Sequence, residues 1–308
     1  MRTASGRIDP ELPLHEQDLA DLDVSFSDFV AGLGLSPAVR ELAMVGLASI
    51  FGEEASALNT LHRVAVVGSL AGYLGSTGSQ VIEQGTGALV EAMVADSAAE
   101  VRLSSPVARL RQGGGGVVAE TAAGSVAARA AVIALPVNVL AGVEFDPALD
   151  PGKLAVSRET AAWEGVKVWA VARGVPPGST SIGLAHGLDY VVGLEAVARG
   201  TLLVCFGPRA AEIDPADRDT VERAVRVHHP GAEVVACAGH DWVSDPWSRG
   251  AWAAFRPGQI TRHGAALRRQ EGRLAFAGAD VAVRWPGNIE GAFESGVRVA
   301  AEISEIAL

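Results

Sequence analysis

Cysteine is scarce. The 308 residues hold two, Cys205 and Cys237, with no C-x-x-C spacing. A disulfide framework is therefore excluded, and two reduced, buried thiols of a cytoplasmic protein are expected. Basic charge is also short: 25 Lys and Arg stand against 36 Asp and Glu, a net charge of −11. There is no Lys/Arg-rich run, and a nucleic-acid binder needs a basic face, so nucleic acid is set aside as a partner. No apolar stretch reaches 18 residues, and the opening "MRTASGRIDPELPLHEQ" carries no apolar core of a signal peptide. The reading is a protein without a membrane span or the usual secretion signal, placed in the cytoplasm. His228 and His229 sit in a turn-like "VHHPGAE" with no partner motif, so no metal site is expected there.

What is present is ample apolar material. Hydrophobic residues make up 49% of the chain and charged ones 20%, enough to bury a sizeable core. The length exceeds one typical domain, which favours two domains or one two-lobed unit. Residues 1–22 are polar and acidic and read as a loose arm. From Val24 to Val67 apolar residues recur at three- and four-residue spacing, as in "SPAVRELAMVGLASIFG", where Ser36-Pro37 suits a helix start. At Gly75 a glycine-rich turn opens "GSTGSQVIEQGTGALVEAMVADSA", followed by a helix. The strands "EVRLSSPVARLRQ", "GVVAETAAGSVAAR" and "AAVIALPVNVLAGVEF" come next, with Gly113–Gly116 as a hairpin turn. "VKVWAVARGV", "TLLVCFG" and "AEVVACAGHDWV" are further strands, and "PADRDTVERAVRVHH" is a helix between the last two. The fold class is mixed α/β (α+β).

The end of the chain is the most informative part. "RLAFAGADVAVRWPGNIEGAFESGVRVAAEI" reads as a strand, a glycine turn, a Trp-Pro-Gly corner and a helix from about Asn288. Ile289, Ala292, Phe293, Gly296, Val297, Ala300 and Ile303 form one apolar stripe at helical period, which predicts a face packed on a sheet. Glu290, Glu294, Arg298 and Glu302 occupy the opposite face. Gly278, Gly287 and Gly291 allow close backbone approach, and the helix start presents unpaired N–H groups and partial positive charge.

This closing segment resembles the C-terminal FAD-binding signature of the flavin-containing amine oxidase family: a strand ending F-A-G-x-E, then W-x-G-x-x-E-G-A. Other stretches resemble the family in the same order. They are the glycine turn and helix after Gly75, "VRLSSPVARLRQ", "AAVIALPVNVLAGVEFDPALDPGK", "WEGVKVWAVARG" and "DWVSDPWSRGAWAAFRPGQITRHG". The resemblance implies a two-domain fold linked through FAD. On it, 1–74 are the helical part of a substrate domain and 75–148 a segment of the FAD domain. Residues 149–249 are the substrate-domain sheet, and 250–308 the closing FAD segment. It implies cofactor contacts from Val107, Ala134, Pro136, Gly278, Asp280, Trp285, Gly287, Asn288, Ile289 and Ala292. Asp280 replaces the family's usual glutamate. The resemblance implies that Lys167 holds a water against the flavin and that Trp242 lies near its ring. Trp252 falls where the family places one wall of the substrate site, and Asn288 where many members have the second aromatic wall, so the resemblance implies a wall with an amide in place of a ring. Ala251 falls where some members carry a cysteine bonded to flavin, so FAD is expected to be non-covalent.

The family's opening βαβ unit with G-x-G-x-x-G and a following acid has no counterpart in residues 1–75. The missing part is on the order of 100 residues. The expectation is the catalytic subunit of a split FAD-dependent amine oxidase. A small second subunit would supply the nucleotide-binding unit, and the substrate would be a small amine, with a lean toward secondary or cyclic ones. The alternatives are a fragment of a longer chain, a flavin oxidoreductase or desaturase acting on C–C bonds, and a non-catalytic relic serving as scaffold.

Overall fold

The computed structural model describes residues 1–48, 51–68, 82–160, 162–183 and 187–307. The start of the glycine-rich turn at Gly75 lies outside them. The helices are α1 (Arg2–Ser5), α2 (Phe26–Gly32), α3 (Pro37–Ala43), α4 (Ala57–Val66), α5 (Gly87–Asp96), α6 (Pro151–Glu159), α7 (Arg218–His228), α8 (Gln259–Arg268) and α9 (Ile289–Ala307). The strands are β1 (Val107–Gly113), β2 (Gly116–Thr121), β3 (Gly124–Ala128), β4 (Ala131–Ile133), β5 (Glu144–Asp146), β6 (Val166–Arg173), β7 (Thr180–Ile182), β8 (Tyr190–Val197), β9 (Gly200–Gly207), β10 (Glu233–Gly239) and β11 (Leu274–Phe276). None of the described helices is long and apolar enough to cross a membrane.

Local chemistry sets several boundaries. Ser25, Ser56, Asp150 and Asp217 each accept a backbone N–H from the first turn of α2, α4, α6 and α7, satisfying donors that a helix start leaves open. β6 alternates buried Val166, Val168, Ala170 and Ala172 with more exposed Lys167, Trp169, Val171 and Arg173, the period-2 pattern of a strand with two different faces. It lies in a five-stranded antiparallel sheet of order β10-β6-β9-β8-β7. The buried face packs Val168, Leu203, Cys205 and Val191 against Val221, Ala224 and Val225 of α7. Burial pushes the Cys205 thiol up to about 12, so it stays a neutral core group. His228 bonds Ser181 at 2.9 Å and the Leu188 carbonyl at 2.7 Å, a structural bridge from α7 to the sheet.

The meander β3-β2-β1 is extended by β5, which runs parallel to β1. β4 and β11 form a separate parallel pair, with Ile133 opposite Phe276. Leu110, Ile133, Phe145, Leu274 and Phe276 join the two sheets in one core. The expected long buried strand at "AAVIAL" is only these three residues, and Val132 is 45% exposed. Val132 and Leu135 line an apolar cleft with Trp247.

Two expectations are corrected. The first 22 residues are not a loose arm: Ile8, Leu19 and Leu22 are buried against Phe26, Leu58, Leu61 and Ile260. Asp23 then accepts from Thr261 Oγ1 at 2.6 Å, tying the segment to α8. Single apolar residues three to eleven apart make no helical stripe, so polar composition hid their burial. The second correction concerns α9. Ile289 is 53% exposed, Phe293 38% and Val297 75%, and Ala292, Gly296 and Ala300 are exposed with them. The buried side is the small one, Gly291, Ser295 and Val299. A Cβ at Gly291 would strike the Trp285 carbonyl, so the helix sits too close for a larger face. Part of the polar side works inward: Glu294 accepts the N–H groups of Val283 and Arg284 at 2.7 and 3.0 Å, and Arg298 donates to the Phe276 carbonyl at 2.8 Å.

Candidate active site

Three connections meet at one place. The chain leaves β4 through Ala134–Asn138, leaves β11 through Ala277–Asp280, and returns toward α8 through Gly250–Phe255. Pro136, Val137, Ala251, Trp252, Phe255 and Asp280 line a shared cavity of about 80 Å³. Asp280 joins two of these connections: its Oδ2 accepts the Val137 N–H at 2.9 Å. Burial raises the Asp280 carboxyl pKa from its ordinary value, and the Val137 N–H opposes that shift.

The glycine corner is open. Gly278 has φ +122°, a conformation suited to glycine, and a Cβ built there meets nothing within 4 Å. Its N–H donates to Ser295 Oγ at 2.9 Å, which fixes the corner to α9. Gly287 has φ +71°, and a Cβ there would lie 3.6 Å from Trp252 Cβ, so this turn and the Trp252 loop are neighbours. Asn288 caps α9: its carbonyl accepts the Ala292 N–H at 3.1 Å. The N–H groups of the next residues belong to the open first turn, and Ile289 and Ala292 are exposed beside them.

Two supporting residues escaped the sequence reading. Trp163, 1% exposed, stacks on Trp252 at 4.0 Å between centroids and 18° between planes. Arg63 of α4 donates to Asn288 Oδ1 at 3.0 Å and places its guanidinium 4.8 Å from the centre of the Trp285 ring. Each partner is far away in sequence, so no local motif could signal it.

The remaining expected residues stand around this centre. Val107 and Ala134 line a larger apolar cleft of about 560 Å³ together with Leu135, Phe145 and Trp247. The pairing of β1 with β5 covers Arg109–Arg111 and stops short of Val107. Lys167 does not line the 80 Å³ cavity. It stands on the outer face of the five-stranded sheet, with Nζ 4.8 Å from the Trp169 ring centre and 5.6 Å from that of Phe206. Trp242 is 49% exposed, its ring edge-on to His240 at 4.2 Å.

Behind Asp280 a second cavity, about 70 Å³, holds His62. His62 is 1% exposed, and its Nε2 has no hydrogen-bond partner. Burial lowers its pKa from 6.5 to about 4, with Arg63 adding to the effect. The unfolded chain therefore binds a proton near pH 6.5 that the folded chain refuses until near pH 4. Stability is full above pH 6.5 and falls by about 3 kcal/mol as pH drops through that window. Urea titrations of wild type and His62→Phe across pH 4–7 should show this slope in wild type and its loss in the variant. Equal slopes would show that His62 does not titrate in this way.

The family model for flavin containing amine oxidoreductases matches residues 17–304. The chain belongs to that family. It is 39% identical over 236 residues to pseudooxynicotine dehydrogenase of a Pseudomonas species, covering 72% of this chain and 46% of the relative. It is 32% identical over 299 residues to (S)-6-hydroxynicotine oxidase of Paenarthrobacter nicotinovorans, covering 94% of this chain and 68% of that protein. The chain thus spans from about half to two-thirds of the length of these curated relatives. Wild-type putrescine oxidase bound to putrescine superposes with a TM-score of 0.84 at 22% identity, over 99% of this chain and 73% of that one, which establishes the fold. FAD is the cofactor of this flavoprotein family, and the open Gly278 corner, the Asp280 carboxylate and the exposed start of α9 fit such a group.

Proposed function

We propose that this chain is the substrate-facing part of an FAD-dependent amine oxidase or dehydrogenase. The observation that carries the reading is the meeting of Pro136, Asp280 and Trp252 around one cavity, with Gly287 and Asn288 beside them. Pro136, Gly278, Asp280, Trp285 and the first N–H groups of α9 would hold the cofactor, and Val107 and Ala134 would meet it farther along. Bound FAD would supply the acceptor for a hydride from the carbon beside an amine nitrogen, and water would hydrolyse the resulting substrate imine. Trp252, braced by Trp163, forms one wall for the amine. Asn288 gives the other wall a polar group but no ring face. Apolar surroundings disfavour the ammonium form, so the amine binds neutral with its lone pair available. Lys167 holds a water through its Nζ protons. Ala251 offers no nucleophile for a covalent link, so the cofactor is retained without one. A secondary or cyclic amine is the favoured substrate class.

Residues 1–74 and 149–249 form the substrate part in this reading, and 75–148 and 250–308 the flavin part. In this reading a second polypeptide carrying a nucleotide-binding unit completes the site. The outward Ile289, Phe293 and Val297, the exposed Val132 and Leu135, and the apolar cleft beside β4 support this. Apolar surface of this extent marks an interface, and open strand edges need cover. The chain alone should be colourless, and co-expression with a Rossmann-type partner should yield a yellow complex that oxidises an amine. Val297→Glu should weaken that complex at least about tenfold, the scale of one charge placed in an apolar interface. Stoichiometric FAD binding by the chain alone would end the two-polypeptide reading. A yellow complex that forms alkenes and releases no imine-derived product would favour a desaturase.

A further inference from the structure

Asn288 has a fixed polarity. Its Oδ1 accepts from Arg63 Nη2 at 3.0 Å, and its Nδ2 donates to the Pro286 carbonyl at 2.8 Å. A guanidinium can only donate and a carbonyl can only accept, so the amide cannot be turned over without breaking both bonds. Trp285 holds Arg63 in place from the side, its ring centre 4.8 Å from the guanidinium. What remains to meet a ligand is the second Nδ2–H. The other lone pair of Oδ1 lies beside the Arg63 cation, where a substrate ammonium would meet like charge.

The reacting nitrogen cannot be the natural partner of that N–H. Its lone pair must form the C=N bond as hydride leaves, and a donor placed on the lone pair would hold it back. From this we infer that Asn288 is a specificity residue whose polarity is set by Arg63. Its free N–H binds a second group of the substrate, a neutral hydrogen-bond acceptor such as a carbonyl oxygen or an aromatic ring nitrogen. Arg63 is a positioning residue, acting through Asn288. The inference rests on the reading that Asn288 faces the substrate, and it narrows the substrate class to amines that carry such an acceptor.

The test uses the assembled FAD-loaded enzyme and ligands that cannot be oxidised as amines. Acetophenone and α-methylstyrene share a shape and differ by a carbonyl, while trimethylphenylammonium is a permanent cation. Dissociation constants come from perturbation of the flavin spectrum. Wild type should bind the cation worst. Asn288→Asp keeps the side-chain size and an acceptor oxygen for Arg63 but removes the donor. It should lower the acetophenone-to-styrene preference about tenfold, the scale of one hydrogen bond, and improve binding of the cation. A folded Arg63→Met variant, checked by its melting curve, should shift both in the same direction, and Arg63→Lys should restore most of the wild-type pattern. An unchanged preference in Asn288→Asp overturns the inference. An unchanged preference in folded Arg63→Met overturns the role of Arg63. Amine turnover is assayed separately, so an enzyme that oxidises amines but shows no such preference refutes only this inference.

Discussion

Lys167→Met, in the assembled FAD-loaded enzyme, should slow reduction of the flavin by amine by a factor of about 10² to 10⁴, the range expected for a positioned proton-handling group. The chain has two lysines, Lys153 and Lys167, and their surroundings differ in kind. Lys153 is sealed in an ion pair. Lys167 is half-buried on a sheet face, its ammonium over the rings of Trp169 and Phe206. Ring faces attract a cation without accepting all of its N–H groups, which leaves protons for a water or substrate. Across the sheet Lys167 is level with Phe206, and Phe206 with Tyr190, so the lysine opens onto an aromatic surface. Methionine keeps the length and the apolar stem, so the melting temperature should barely move. Stopped-flow reduction under anaerobic conditions reads the effect. A rate within threefold of wild type would remove Lys167 from the chemistry.

Glu271→Ala should destabilise the fold by about 3–5 kcal/mol, the cost of leaving a buried charge without its partner. The Lys153 side chain is 0% exposed and lies 2.6 Å from Glu271 Oε1. It also donates to the Arg269 carbonyl at 2.7 Å and lies 3.9 Å from the Phe276 ring centre. Glu271 Oε2 accepts the Asp150 N–H at 3.0 Å, so the carboxylate caps the approach to α6 as well. Burial lowers the Lys153 pKa and the Glu271 bond opposes that shift. Removing the glutamate leaves burial and the Arg269 charge lowering it, with only the smaller pull of the Asp150 charge against them. The double variant Lys153→Met/Glu271→Gln should cost far less, because it leaves no unpaired charge and an apolar chain of similar length can fill the space against Phe276. Chemical denaturation of the two variants gives the comparison. Equal losses, or a Glu271→Ala loss under about 1 kcal/mol, would show that the pair is not held as a desolvated charge.

The closing strand, glycine turn and helix were legible because their causes are local. Gly278 and Gly287 take positive φ, and Asn288 caps the helix that follows it. The alternation of β6 announced a strand with one buried face, and the family signature named the cofactor. The orientation of α9 was not legible. A stripe of Ile289, Phe293 and Val297 reports an apolar side, but not what meets it. Close contact through Gly291 and the bonds made by Glu294 and Ser295 turn the stripe outward.

Composition and short-range pattern therefore determined the mixed α/β class of the protein, and the resemblance of its motifs to a family pointed to the flavin and to the residues expected around the open corner. Tertiary structure alone decided how those residues are used. Asp280 holds Val137 from 143 residues away, and Arg63 orients Asn288 from 225 residues away. Periodicity reports the face a segment offers. The partner that meets the face, and the direction in which an amide or carboxylate then points, follow from contacts between segments that share no sequence signal.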